Sequence, residues 1–486
     1  MRKILMAAGL AALPATLAVA QVAQSISAAD KRAGAEAHPK LLEEFGGVYQ
    51  GRQAAYVSSV GKRIAVQSGL SNSQSDFTVS LLNSPVNNAF AIPGGYVYVT
   101  RQLMGLMNDE AELASVLGHE VGHVAARHSS KRQSAATRNS IGALLGQVLI
   151  GAVAGDSGLG GLLSRGIGQG AQLLTLKFSR TQEYEADDLG IGYLARAGYD
   201  PYAAASMLAS LQAQANLDAR TRGTQSSAVP SWASTHPDPG ARVQRARGKA
   251  QATGIAAGRG ARNRDAFLTA LDGTAYDDDP RQGIVDGRNF RHPDLRIGFT
   301  APAGFVLTNG TSAVTVTGSG GQAQFQGGRL NGSIEDYVRG VFAQLAGQTG
   351  QTQELQPGRT TVSGLEAAFA TVRARTQSGN VDATVFAYRV DANTAYHFLV
   401  IAPAGAGVGP FEPMLRSFTR LTPQQAQSIR GRRIEVVTVK TGDTPTSLSA
   451  RMAYADYKLD RFLTLNALTA GTRLAPGQKV KLVVYS

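Results

Sequence analysis

A chain of 486 residues is too long for one ordinary hydrophobic core, and with 43% hydrophobic residues it is not disordered throughout. It has no cysteine, which excludes a disulfide-stapled scaffold and a thiol nucleophile; its formal net charge of +13 favours anionic partners such as cell-envelope polymers or lipid headgroups. Much of that charge lies in 220–264 and 430–433, where solvated helix faces and a linker account for it equally well, and no nucleic-acid module accompanies it.

Residues 1–20 open on Met1, Arg2 and Lys3, run through apolar residues over 4–13 and end on Ala18, Val19 and Ala20. That is the layout of a secretory signal peptide cut before Gln21. The run is short of the roughly 20 apolar residues that a membrane span needs, and an exported chain without cysteine fits a bacterial periplasm. Residues 29–277 are mainly helical in pattern and hold nearly all the reactive side chains. Within them 87–99 reads as two strands joined at Pro93, Gly94 and Gly95, by itself an ordinary hairpin.

The next element is a helix. Asp109, Glu110 and Glu112 make an acidic first turn, with a D-x-x-E arrangement resembling a capping box. Leu113, Val116, Leu117, Val121 and Val124 recur at helical spacing, and His119 and His123 point away from their face, beside the core. His119, Glu120 and His123 form the H-E-x-x-H pattern. Two imidazoles one turn apart converge on a single zinc ion, and the glutamate is placed to take a proton from a metal-activated water. Alone, the motif also fits two histidines on an amphipathic helix that never meets a metal. His128, five residues beyond His123, is expected to be structural and to point away from the ligand face.

Residues 141–170 are rich in glycine and almost uncharged. They suggest a mobile cover over the cleft, with an interfacial membrane contact or a plain loop as competing readings. In 179–190, Glu183 and Asp187 stand four apart on one face of a second helix. One can complete a tetrahedral site while the other holds a ligand histidine. Glu185 is the competing ligand, on another side of that helix.

With these motifs the chain closely resembles the HtpX- and BepA-like zinc metallopeptidases, the family that includes the CAAX prenyl proteases, over about residues 41–247. The resemblance implies a mainly helical zincin-type metallopeptidase domain with a small β-hairpin or sheet and one zinc ion. It makes Glu183 the third ligand beside His119 and His123, and Asp187 the partner that orients His119 through its far ring nitrogen. The stretch around Asn88, Ala89 and Phe90 becomes the strand beside the metal, a backbone wall on which an extended peptide adds as another strand. The family-like stretch 234–242 supplies His236 and Arg242 as further residues lining the site. His236 is either a loop histidine, a fourth ligand that blocks water in a resting state, or an aid to oxyanion binding.

Charge and a proline at Tyr276, Asp277, Asp278, Asp279 and Pro280 read as a linker. Residues 290–422 then alternate short β-rich runs with turns around a helix near 334–345, which predicts an α+β sandwich with an antiparallel sheet and no catalytic spacing. After a basic hinge at 430–433, residues 434–486 carry Gly442, Asp443, Leu448, Asn466, Pro476 and Gly477 in the order of a LysM module. That resemblance implies a βααβ unit that binds the N-acetylglucosamine chains of peptidoglycan, although Pro445 stands where such modules have an aliphatic residue. A degenerate module kept for protein contact is the alternative.

The expectation is therefore an α+β multidomain protein of the periplasm, held near the cell wall or outer membrane. Its expected activity is zinc-dependent endoproteolysis of misfolded or unassembled envelope proteins, with Glu120 as general base. The competing expectation is a chaperone-like, peptidoglycan-associated protein with an idle metal site. A serine hydrolase is disfavoured, because no G-x-S-x-G elbow is present.

Overall fold

Thr78–Leu82 (β1), Ala89–Ile92 (β2) and Tyr96–Thr100 (β3) form a small sheet in the order β1-β3-β2. β2 and β3 are the expected hairpin, paired antiparallel, while β1 joins β3 in parallel. The turn between β2 and β3 is taken by Gly94 and Gly95 at φ 90° and 84°, a left-handed backbone that costs glycine nothing. β2 is thereby left at the edge of the sheet. Alternation along it sends Ala89 and Ala91 into the main core and Phe90 and Ile92 to the other side, against Leu41, Phe45 and Tyr98.

This computed structural model describes residues 25–129, 178–222, 236, 239–311, 313–346, 355–376 and 379–486. Segment 1–20, expected to be a signal peptide, and the glycine-rich segment 141–170 lie outside the described residues. Among the described residues no helix is long and apolar enough to cross a membrane.

Two helices carry the H-E-x-x-H and E-x-x-x-D motifs, Glu110–Ala125 and Arg180–Arg196. Small residues let their backbones touch. A Cβ on Gly190 would lie 3.0 Å from the His119 amide nitrogen, and one on Gly122 would lie 3.1 Å from the Ala186 carbonyl oxygen. Gly118 and Gly122 on one helix, facing Ala186 and Gly190 on the other, thus set how far Glu183 must reach.

The chain is a mixed α+β multidomain protein with helices and several antiparallel sheets. Residues 290–422 are built around a seven-stranded antiparallel sheet ordered 358–362, 365–376, 379–389, 394–403, 321–329, 314–318, 306–309. The helix Ile334–Ala346 packs Val338 and Phe342 over Ala383 and Leu399 on one face. An aromatic cluster of Phe290, Phe325, Phe398 and Phe418 fills the other.

The last unit runs strand, helix, helix, strand: Arg432–Thr438, Pro445–Ser449, Lys458–Leu465, Lys479–Tyr485. It is not a loosely tethered module. Ile434, Phe462 and Leu482 belong to the same buried cluster as Ile64, Leu117 and Val121 of the helical region. The segments expected as linker and hinge are packed as well. Ala275–Tyr276 and Arg432–Thr438 pair as strands, and Asp277 accepts a hydrogen bond from the Tyr454 hydroxyl at 2.7 Å and pairs with Arg432 at 3.2 Å. Their charges pair with each other across the junction, which the one-dimensional pattern does not reveal.

Candidate metal centre

The first helix starts where its chemistry requires. Asp109 caps it, its Oδ1 accepting from the Glu112 amide at 3.0 Å. The Glu112 carboxylate takes the Asn108 amide at 2.8 Å rather than that of Asp109, so the expected capping box is only half formed. One turn apart on this helix, His119 and His123 bring their Nε2 atoms within 3.0 Å of each other.

Glu183 and His236 close the group. Glu183 oxygens lie 3.5 Å from each of those Nε2 atoms, and His236 Nδ1 lies 3.0 Å from Glu183 and 3.3 Å from His119. All four donors lie within 4.8 Å of one another, and all four residues are buried. A zinc ion with ligand bonds of about 2.0–2.1 Å sits in a tetrahedron whose edges are about 3.3–3.4 Å, close to these separations. Two imidazoles, a carboxylate and a further imidazole are also the donor types zinc takes. The residues fit the metal.

The electrostatics agree with a cation there. Burial alone would push the His119 imidazole down, yet hydrogen bonds to Asp187 and Glu183 outweigh it and hold the ring up at about 9. Burial likewise raises Glu183, but His236 and His119 overcome that and keep its carboxyl far below the ordinary range. Negative charge is thus concentrated on the ligand side, where a proton or a metal ion would compete for it.

Glu120 stands apart from this bonding. It is completely buried, and neither carboxylate oxygen has a hydrogen-bond partner among the described residues. His236 Nε2 is 3.6 Å away. Burial raises its carboxyl above the ordinary value.

Around the four donors, Asp187 Oδ1 meets His119 Nδ1 at 3.0 Å, opposite the nitrogen that faces the cluster. Arg242 grips Asp187 with two donors, at 2.8 and 2.6 Å, and reaches Glu183 at 2.9 Å. Its guanidinium is buried and ties the two carboxylates into one frame. Ala89 presents its carbonyl 3.4 Å from His236 Nε2, so β2 runs beside the centre. Asn88 is buried with its backbone engaged by Thr100, and Phe90 pairs with Tyr98 in the sheet and packs on the opposite side of β2 from Ala89.

His128 departs from expectation. The helix stops at Ala125, Arg127 takes φ +56°, and the chain turns back, so His128 Nδ1 comes to 2.8 Å from His123 Nδ1. It is fully buried and also meets Glu185 at 3.2 Å, which fixes Glu185 outside the cluster. Extrapolating helical geometry past Ala125 produced the wrong direction. Phe178, stacked on the His123 ring at 4.0 Å between centroids, also belongs to this surround, and no motif in the sequence announces it.

Residues 51–250 match the model of peptidase family M48. Similar curated proteins include the Beta-barrel assembly-enhancing protease of Yersinia pestis, 32% identical over 207 residues, which are 42% of this chain and 40% of that protein. The Beta-barrel assembly-enhancing protease of Escherichia coli (strain K12) is 33% identical over 199 residues, 40% of this chain and 38% of that protein. The Mitochondrial metalloendopeptidase OMA1 of Schizosaccharomyces pombe is 33% identical over 219 residues, 44% of this chain and 59% of that protein. The chain therefore spans about two fifths of the bacterial relatives and 59% of the mitochondrial one. His119, Glu120, His123, Glu183 and His236 all fall inside the segment 51–250 that matches peptidase family M48, so the candidate metal centre lies in the part of the chain that is similar to that family.

Proposed function

We propose that the protein is a zinc-dependent endopeptidase of the periplasm that cleaves misfolded or unassembled cell-envelope proteins. His119, His123 and Glu183 would hold the ion, and Asp187 would fix the tautomer of His119. A bound zinc supplies Lewis acidity at a substrate carbonyl and at water. Glu120 takes the proton from the attacking water and passes it to the leaving amine. An extended substrate lies along β2, its backbone pairing with the strand edge near Ala89.

The observation that carries this reading is Glu120, a buried carboxylate with neither oxygen hydrogen-bonded among the described residues, set beside a four-donor cluster. A buried acceptor left without partners is costly in a purely structural role, and a proton-transfer role explains it. The envelope setting rests on the signal-like segment and on relatives named for β-barrel assembly. We read the last unit as a LysM-like module that keeps the enzyme near peptidoglycan.

His236 occupies the corner that a substrate oxygen or water must reach. Comparison of wild type with His236→Ala tests the whole arrangement. Wild type is expected to cleave unfolded casein internally, and His236→Ala to retain zinc on three ligands while its rate changes. A faster variant marks His236 as a block on the resting site, and a slower one marks it as an oxyanion partner. Unchanged zinc and rate would remove His236 from the site, and absence of cleavage by both proteins would contradict the peptidase reading.

A further inference from the structure

The His123 ring turns its Nε2 to the four-donor cluster, 3.0 Å from His119 Nε2 and 3.5 Å from a Glu183 oxygen. A nitrogen that ligates a metal offers a lone pair, so in the neutral ring the hydrogen sits on Nδ1. That N–H is buried and needs an acceptor. His119 meets the same need through a carboxylate, with Asp187 at 3.0 Å from its Nδ1. His123 meets it through a second imidazole, with His128 Nδ1 at 2.8 Å.

The hydrogens then follow in order outward. His123 Nδ1–H donates, so His128 Nδ1 accepts, and a neutral His128 carries its own hydrogen on Nε2. That nitrogen meets the Glu185 carboxylate at 3.2 Å, which accepts it. Each contact thus has one donor and one acceptor, from the cluster out to a carboxylate that is 48% exposed. The turn that brings His128 back is fastened to the second motif helix, because the Gln182 side-chain amide donates to the His128 carbonyl at 3.4 Å. Phe178 lies against both rings, stacked on His123 at 4.0 Å and tilted against His128 at 5.9 Å between centroids.

We propose that His128 is a positioning residue for His123, its Nδ1 accepting the His123 Nδ1–H and so holding that ring in the tautomer and rotation that aim Nε2 at a metal, with Glu185 holding His128 in turn. This rests on the metal-centre reading above. It gives Glu185, excluded as a ligand, a part in the centre. The helix Arg180–Arg196 then supports both histidine ligands from different sides, His119 directly through Asp187 and His123 through Glu185 and His128. It also makes the two ligands unequal, because a charged acceptor raises the basicity of His119 more than a neutral one raises that of His123.

The test is zinc affinity of the full-length protein, measured by competition with a chelator, for wild type, His128→Asn and His128→Leu. Asparagine carries an oxygen on its Cγ, where histidine carries Nδ1, and so keeps an acceptor for His123; leucine keeps only bulk. His128→Leu is expected to bind zinc about 10- to 100-fold more weakly than wild type, and His128→Asn to stay within about threefold of it. Equal affinity of wild type and His128→Leu overturns the proposal and leaves the metal centre standing. An equal loss in both variants marks a packing role and overturns it as well. A wild type that binds no zinc overturns the metal-centre reading and this one with it. Nitrogen NMR of the histidines in zinc-loaded wild type needs no substitution: His128 is expected as the Nε2–H tautomer, and the Nδ1–H tautomer overturns the proposal.

Discussion

Glu120→Gln is expected to lower hydrolysis of unfolded casein by about a thousandfold or more, with zinc content unchanged. Glutamine keeps the shape of the side chain and leaves His119, His123, Glu183 and His236 as they are. It removes only the capacity to accept and return a proton. The wild-type carboxylate is buried with neither oxygen hydrogen-bonded among the described residues, so the substitution breaks no bond seen there and should not destabilise the fold. A loss of rate accompanied by a loss of zinc would point to damage to the centre. A rate within about tenfold of wild type would show that another group moves the proton.

The second large effect is on stability. Lys481 of the last strand is completely buried, and its ammonium donates to the carbonyls of Gly105, Leu106 and Met107 at 2.9, 3.2 and 2.6 Å. These carbonyls end the short helix Arg101–Leu106, which leads directly into the metal-binding helix. They have no continuing turn to pair with, and a cation at a helix C-terminus also meets the favourable end of its dipole. Lys481→Met preserves the stem and removes the charge, leaving the carbonyls of Gly105 and Met107 without the ammonium, while that of Leu106 keeps the Asn108 side-chain amide at 3.2 Å. The expected cost is about 3–5 kcal/mol. Urea unfolding should show a single transition moved to lower denaturant with an unchanged slope, because the last unit and the helical region share one core. A shift worth less than about 1 kcal/mol would mean that the ammonium is not needed at this junction.

Much of the centre was legible in the sequence because its determinants are local. Asp109 and the acidic turn announce the helix start, the H-E-x-x-H spacing aligns two rings, and the E-x-x-x-D spacing aligns two carboxylates. The β-rich runs and the helix near 334–345 were legible for the same reason: alternation and 3.6-residue periodicity are written in neighbouring residues. What escaped depends on contacts between distant segments. The Gly118, Gly122, Ala186 and Gly190 contact carries a signal, small residues four apart on both helices, but two separate stretches must be compared to see it. His128 was misdirected by a single left-handed residue, Arg127, whose conformation no local rule demands. Phe178 over His123, the Arg242 grip on two carboxylates and Lys481 under the helix end are tertiary facts. So is the pairing of Ala275–Tyr276 with Arg432–Thr438, which turns an apparent linker and an apparent hinge into parts of one sheet.

In the proposed mechanism, hydrolysis depends on a metal held by the histidine and glutamate cluster. Its most direct test is casein hydrolysis by the full-length protein before chelation, after chelation, and after return of zinc in equimolar amount. Activity is expected to be lost with the metal and restored by zinc in wild type, and not restored in His123→Ala. Full hydrolysis by the metal-free protein would contradict it.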